Sequence, residues 1–151
     1  MTIDPSSLLY FDDLSAGLRF ESPQFAVTAD AICAFALQFD PQPFHVDADA
    51  AEQSFFNGLA ASGWHTASIT MRLLVDGGLP FAGGLVGAGA EIAWPSATRP
   101  GDVLIVFSEI IDLRASASKP DRGWVTVQCE TRTSTGAVVQ TLRARMLVLR
   151  R

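Results

Sequence analysis

Lysine is nearly absent from this chain: Lys119 stands alone against ten arginines in 151 residues. No basic run occurs, and the formal net charge is −5, from 16 acidic and 11 basic residues. Phosphate-backbone binding rests on neutralisation by Lys and Arg, so nucleic acid is excluded as a partner. A polyanionic ligand met by a few local arginines stays open. Cysteine is as scarce. Cys33 and Cys129 are the two present, too few for a disulfide framework, and no CxxC or Cys/His cluster suggests a metal site. Both fall on patterns that suit small core residues. Long hydrophobic runs are missing too. The most apolar stretch, residues 77–94, carries Pro80, Glu91 and several glycines, which makes a poor membrane span. Met1-Thr2-Ile3-Asp4-Pro5 has no basic segment followed by an apolar run, so no signal peptide is expected. No repeat, low-complexity tract or linker divides the chain. The expectation is one soluble, cytoplasmic domain over residues 1–151, without membrane or nucleic-acid partners.

What is present is a core-forming composition, 48% hydrophobic and 18% charged, with periodicities that change along the chain. Residues 20–27 read as a first strand blemished by Pro23. Thr28 is a good N-cap, and Ile32, Phe35, Ala36 and Phe39 follow helical spacing over 29–39. The prolines of Asp40-Pro41-Gln42-Pro43 end that helix. Residues 47–53 suggest a short second helix capped by Asp47 or Asp49. Residues 63–75 form the next helix, with Ser62 as N-cap and Gly77-Gly78 as the stop. Trp64, Ala67, Ile69, Met71, Leu73, Leu74 and Val75 surround it almost completely, which predicts burial on most sides. The rest reads as strand. Residues 85–94 are rich in small side chains, and 103–113 are a nearly continuous apolar run suited to a central strand. Residues 124–133 and 138–149 alternate, with Ser134-Thr135-Gly136 turning between them. One buried helix between a first strand and four later strands predicts an α+β fold, an antiparallel sheet wrapped around a long central helix.

The segment Asp40-Pro41-Gln42-Pro43-Phe44-His45-Val46-Asp47 sets a carboxylate and an imidazole five residues apart in proline-stiffened chain. Such a pair can orient a water and remove its proton. The residue types also admit a plainer reading: Asp before Pro is a common turn residue, and a lone loop His is often a surface or core residue.

The whole segment resembles the MaoC-like hydratases and dehydratases, which include (R)-specific enoyl-CoA hydratases. Their pattern is Asp-x-Asn-Pro-(aliphatic)-His-x-Asp followed by an alanine-containing helix, and it is matched at Asp40, Pro43, His45 and Asp47. Gly58-Leu59-Ala60-Ala61-Ser62-Gly63 stands where the family has a Gly-rich segment before its central helix. Trp94-Pro95 and Arg99-Pro100-Gly101-Asp102 resemble its aromatic-Pro and Pro-Gly-Asp signatures. The likeness runs from about Tyr10 to the C-terminus. Two departures stand out: Gln42 replaces the usual Asn, and Ser62 replaces a His before Gly.

The resemblance implies a hotdog fold and a lyase adding or removing water across C2=C3 of an acyl thioester, as in fatty acid metabolism. Asp40 and His45 would hold the water, with Asp40 as main base. The Gly63 N–H, at a helix N-terminus, would receive the thioester oxyanion. Gly63 also suits tight helix–sheet packing. Ser62 caps the helix, contacts Asp40, or does both, and the Gln42 amide supports the site only if re-aimed. His65 reads as a core or interface residue and Trp64 as core or pocket wall. Arg72, Arg99 and Arg114 are candidates for coenzyme A phosphates. No metal or redox cofactor is expected; coenzyme A or acyl carrier protein enters as part of the substrate. Alternatives are a hotdog acyl-CoA thioesterase and a non-catalytic acyl-thioester-binding protein. A small sheet around one helix leaves apolar surface uncovered, and the family pairs edge to edge, so a homodimer or higher homo-oligomer is expected.

Overall fold

The computed structural model describes residues 7–151. Met1-Thr2-Ile3-Asp4-Pro5, read above for a signal peptide, lies outside the described residues. After a 3₁₀ turn at Phe11–Asp13 come β1 (Arg19–Glu21), β2 (Phe25–Ala26), α1 (Ala29–Phe39), α2 (Pro43–Val46), α3 (Ala48–Glu52) and α4 (Gly63–Leu73). A π-helical turn at Leu74–Gly78 leads to β3 (Val86–Ala93), β4 (Val103–Ala115), β5 (Arg122–Thr133) and β6 (Val138–Leu149). The strands form one antiparallel sheet in the order β1-β4-β5-β6-β3, with β2 also on β4. This sheet curls around α4 as a hotdog fold.

The first strand is two pieces. Pro23 has no N–H to donate, and the pairing passes from Glu21↔Phe107 to Phe25↔Leu104, one residue out of step. Ser22 bridges the break: its hydroxyl accepts from Val106 N at 2.8 Å and donates to Pro23 O at 2.7 Å. β4 is the neighbour of the middle strand β5, and its burial alternates over the first eight residues. Leu104, Val106 and Ile110 face the core with Val125, Val127 and Cys129 of β5 and Ala144, Met146 and Val148 of β6. Cys33 is only half-buried.

α4 lays Ile69 and Leu73 onto the sheet with Thr66 and Thr70. The expectation that it is covered on most sides is corrected: Trp64 is 59% exposed, Met71 42% and Val75 62%. Among the described residues these side chains of the apolar outer side stay open to solvent. Among the described residues no helix is long and apolar enough to cross a membrane.

Candidate active site

Asp40 is the residue at which α1 stops. Its N–H still bonds Ala36 O at 2.8 Å, while its φ of −154° and ψ of 67° leave the helix, as Pro41 demands. The chain re-enters a single helical turn, α2, with Pro43 in its first turn, where a missing N–H costs nothing. This turn carries His45, so the proline-stiffened segment holds a short helix. Asp47, not Asp49, then caps α3 by accepting from Asp49 N and Ala50 N at 2.9 and 3.1 Å.

These turns bring Asp40 Oδ2 to 3.3 Å from His45 Nε2. The other ring nitrogen, Nδ1, sits 2.6 Å from Ala60 O. A carbonyl only accepts, so Nδ1 carries hydrogen, and a neutral ring has its lone pair at Nε2 beside the carboxylate. Two acceptors then face the same space, which suits a water donating one hydrogen to each. His45 is buried, and Phe44 and Phe56 set the ring with centroids at 4.5 and 6.0 Å.

Gln42 and Ser62 both serve Asp40. Gln42 Nε2 donates to Asp40 Oδ1 at 2.6 Å, so the extra methylene re-aims the amide onto the carboxylate. Ser62, fully buried, accepts from Trp64 N at 3.3 Å as the cap of α4, and its hydroxyl is near enough to Asp40 to favour the ionised carboxylate. Burial pushes the Asp40 carboxyl up. The polar hydrogens of Ser62 and Gln42 outweigh it and hold Asp40 below the usual carboxylate value. Gly63 opens α4, so its N–H belongs to the group a helix leaves without an internal partner. A Cβ there would lie 2.6 Å from Trp94 Cε2; close packing holds for this residue whatever else it does.

A cleft of about 460 Å³ opens beside this pair, with His45, Gly63, Phe56, Trp94, Thr98 and Arg99 among its lining residues. The sequence reading missed most of this wall. Its signal was the Trp94-Pro95 and Arg99-Pro100-Gly101-Asp102 pair of motifs, which bracket the loop that forms it. Gly101 turns that loop with a φ of +88°, and the Asp102 carboxylate accepts the Arg99 N–H at 2.8 Å.

The remaining candidates fall outside the pair. Trp64 is exposed, meeting Trp94 edge to face at 5.2 Å, and is not core. His65 is buried and stacked on Phe35 at 4.7 Å, with no partner for Nδ1. Arg72 pairs with Asp76 at 2.7 Å on the helix surface. Arg114 lies near the exposed end of β4. Arg99 donates to the carbonyls of Gly58, Leu59 and Phe56 at 2.9, 3.3 and 2.5 Å. Among the described residues no three His, Cys, Asp or Glu side chains cluster as metal ligands.

Comparison with known proteins agrees with this architecture. The MaoC like domain model matches residues 15–127. The fold superposes on the MaoC-like dehydratase from Rhodospirillum rubrum with a TM-score of 0.93 and 55% identity, over 95% of this chain and 98% of that one. The (R)-hydratase from A. caviae involved in PHA biosynthesis gives 0.72 and 25% identity, over 88% and 96%. The uncharacterized protein YdeM of Bacillus subtilis (strain 168) is 35% identical over 104 residues, 67% of this chain and 72% of that protein. With a family model spanning most of its length and this fold around it, the chain belongs to the MaoC-like domain family.

Proposed function

We propose that this protein is a hydratase or dehydratase that adds or removes water across C2=C3 of an acyl thioester, carried by coenzyme A or acyl carrier protein. The observation that carries the reading is the Asp40–His45 pair, 3.3 Å apart, with the Nδ1 contact to Ala60 O turning the Nε2 lone pair toward the carboxylate. In hydration, Asp40 takes a proton from the shared water as its oxygen bonds to C3. The C2=C3 electron pair moves toward the thioester, and the negative charge on its oxygen is received by the Gly63 N–H at the positive end of α4. The pair then returns a proton at C2, and the thioester stays whole. Dehydration is the same path reversed. No metal or redox group takes part in these steps.

The test is direct. Purified protein with crotonyl-CoA should lose the enoyl absorbance and release no thiol above background. Stoichiometric thiol release without hydroxyacyl product overturns the reading in favour of a thioesterase. No change in either signal, across short and longer enoyl-CoA thioesters, overturns it in favour of a non-catalytic binding protein.

The working form is a homodimer or a higher homo-oligomer in the cytoplasm. β3 is an edge strand exposed at every residue but Ile92, and it borders an apolar groove of about 410 Å³ lined by Met71, Leu74, Leu85 and Leu142. An open edge beside apolar surface is a surface that a second copy would cover.

A further inference from the structure

The cleft beside His45 sets buried polar groups among its apolar walls, where a pocket for a plain alkyl chain would be apolar throughout. Thr66 and Thr98 are each 2% exposed and line it, with their hydroxyls 2.8 Å apart. The pair holds two hydroxyl hydrogens, and the mutual bond uses one. Neither hydroxyl has a further partner among the described residues. A hydrocarbon tail against this pair would leave a buried donor unsatisfied.

Arg99 lines the same cleft. Three backbone carbonyls occupy Nη1 and part of Nη2, leaving Nε–H and one Nη2–H, enough for a two-point contact with a carboxylate. Four arginines among the described residues have no carboxylate within ion-pair distance: Arg99, Arg114, Arg143 and Arg145. The last three are exposed to solvent, whereas Arg99 is half-buried. The nearby Asp102 carboxylate is turned to the Arg99 backbone N–H. Glu52 Oε1 and Arg99 Nη1 both approach Gly58 without forming an ion pair, so the half-buried guanidinium keeps room for an anion from outside the protein.

Position narrows the anion. Thr66 follows Gly63 by three residues, just under one helical turn, a rise of about 4.5 Å. Three bonds of extended chain, C1 to C4 of an acyl group, span about 3.8 Å. A short acyl chain running from the Gly63 N–H along this cleft is directed toward the Thr66–Thr98 pair, and a carboxylate at C4 extends its reach by a further bond. Thr98 is tied to the catalytic end as well, because its carbonyl accepts from Ala61 N at 2.9 Å, next to the Ala60 carbonyl that holds His45.

We propose that the cleft selects a short acyl thioester whose far end is a carboxylate, received by Arg99 and the Thr66–Thr98 hydroxyl pair. This rests on the hydratase reading for the placement of the thioester, and its test is independent of turnover. Succinyl-CoA and butyryl-CoA have equal chain lengths and no double bond to hydrate, and their binding can be followed by calorimetry and by tryptophan fluorescence. Succinyl-CoA should bind at least about tenfold tighter, as expected for hydrogen bonds to a charged group. Arg99→Gln should remove that preference. Thr98→Val, which leaves the Arg99 contacts with the loop carbonyls in place, should reduce it. Equal affinities, no binding of either thioester, or a preference that survives both substitutions overturns the proposal. The corresponding pantetheine thioesters, which lack the nucleotide phosphates, form the second arm. If Arg99→Gln weakens both CoA thioesters alike and has no effect on the pantetheine forms, Arg99 reads phosphate and the proposal fails. Failure to hydrate enoyl thioesters would instead count against the hydratase reading, leaving the binding preference to be judged by itself.

Discussion

At the residue scale, the proposed site is a carboxylate whose ionised form is favoured from two sides and an imidazole whose tautomer is set by one carbonyl. Asp40→Asn keeps the shape and the Ser62 and Gln42 neighbours but removes the base. Turnover should fall at least about a hundredfold, and thermal unfolding should show an intact fold. His45→Ala should fall comparably, and wild-type rates in either variant would remove the pair from the mechanism. Ser62→Ala separates two roles. Its hydrogen bond favours the ionised carboxylate, so losing it raises the Asp40 pKa. The acid limb of the kcat/KM profile should therefore move to higher pH. The lost cap on Trp64 N should cost about 1 kcal/mol of stability. An unmoved pH profile with lowered stability would leave Ser62 a cap alone.

At the element scale, the start of α4 is where helix, cleft and sheet meet. Gly63 permits the Trp94 ring to lie against the helix; Trp94 in turn donates Nε1–H to Gln140 Oε1 at 2.9 Å. Gln140 continues inward, donating to Thr70 Oγ1 at 3.1 Å. A bulge permits this. The pairing steps from Thr131↔Gln140 to Arg132↔Val138, so Val139 and Gln140 are both buried. Gly63→Ala would drive a methyl into Trp94 and should destabilise the fold by about 1–3 kcal/mol. Denaturant unfolding measures this, and the tryptophan emission should report the displaced ring. Unchanged stability and emission would mean that the ring moves aside freely.

At the scale of the whole molecule, acid sensitivity and assembly are the two expected properties. Burial holds the His65 imidazole below its ordinary value, with Nδ1 unpartnered. The unfolded chain takes up this proton as pH falls past about 6.5, while the folded chain resists until lower pH. Stability should therefore fall as pH drops through that window, and His65→Gln should flatten the contribution in thermal melts recorded from neutral to mildly acidic pH. Asp40 acts in a lower range: the stability from its depressed pKa is present above the ordinary Asp value and is lost as pH falls through the folded value. For assembly, sedimentation should give a dimer or larger species at micromolar concentration. Met71→Glu, placing a charge in the groove between α4 and β3, should weaken it; a stable wild-type monomer would contradict the expectation.

Local patterns carried a large part of this protein in the sequence itself. Thr28 and Ser62 cap α1 and α4 as read, because capping depends on a hydroxyl and the next few N–H groups. The alternation of β5 and β6 gave the core face, since successive side chains of a strand point opposite ways. The Asp40–His45 segment was legible because its prolines force the chain out of one helix and permit another. Tertiary structure decided the rest. Whether the apolar outer side of α4 is covered depends on neighbours far along the chain, and among the described residues Trp64 and Met71 stay exposed. The split at Ser22 and the bulge at Val139 are set by strand register, which composition does not show. The cleft gathers Thr66, Thr98 and Arg99 from a helix and a distant loop. No spacing in the sequence joins them, and only the folding of the β3–β4 connection against the start of α4 puts them on one cleft wall.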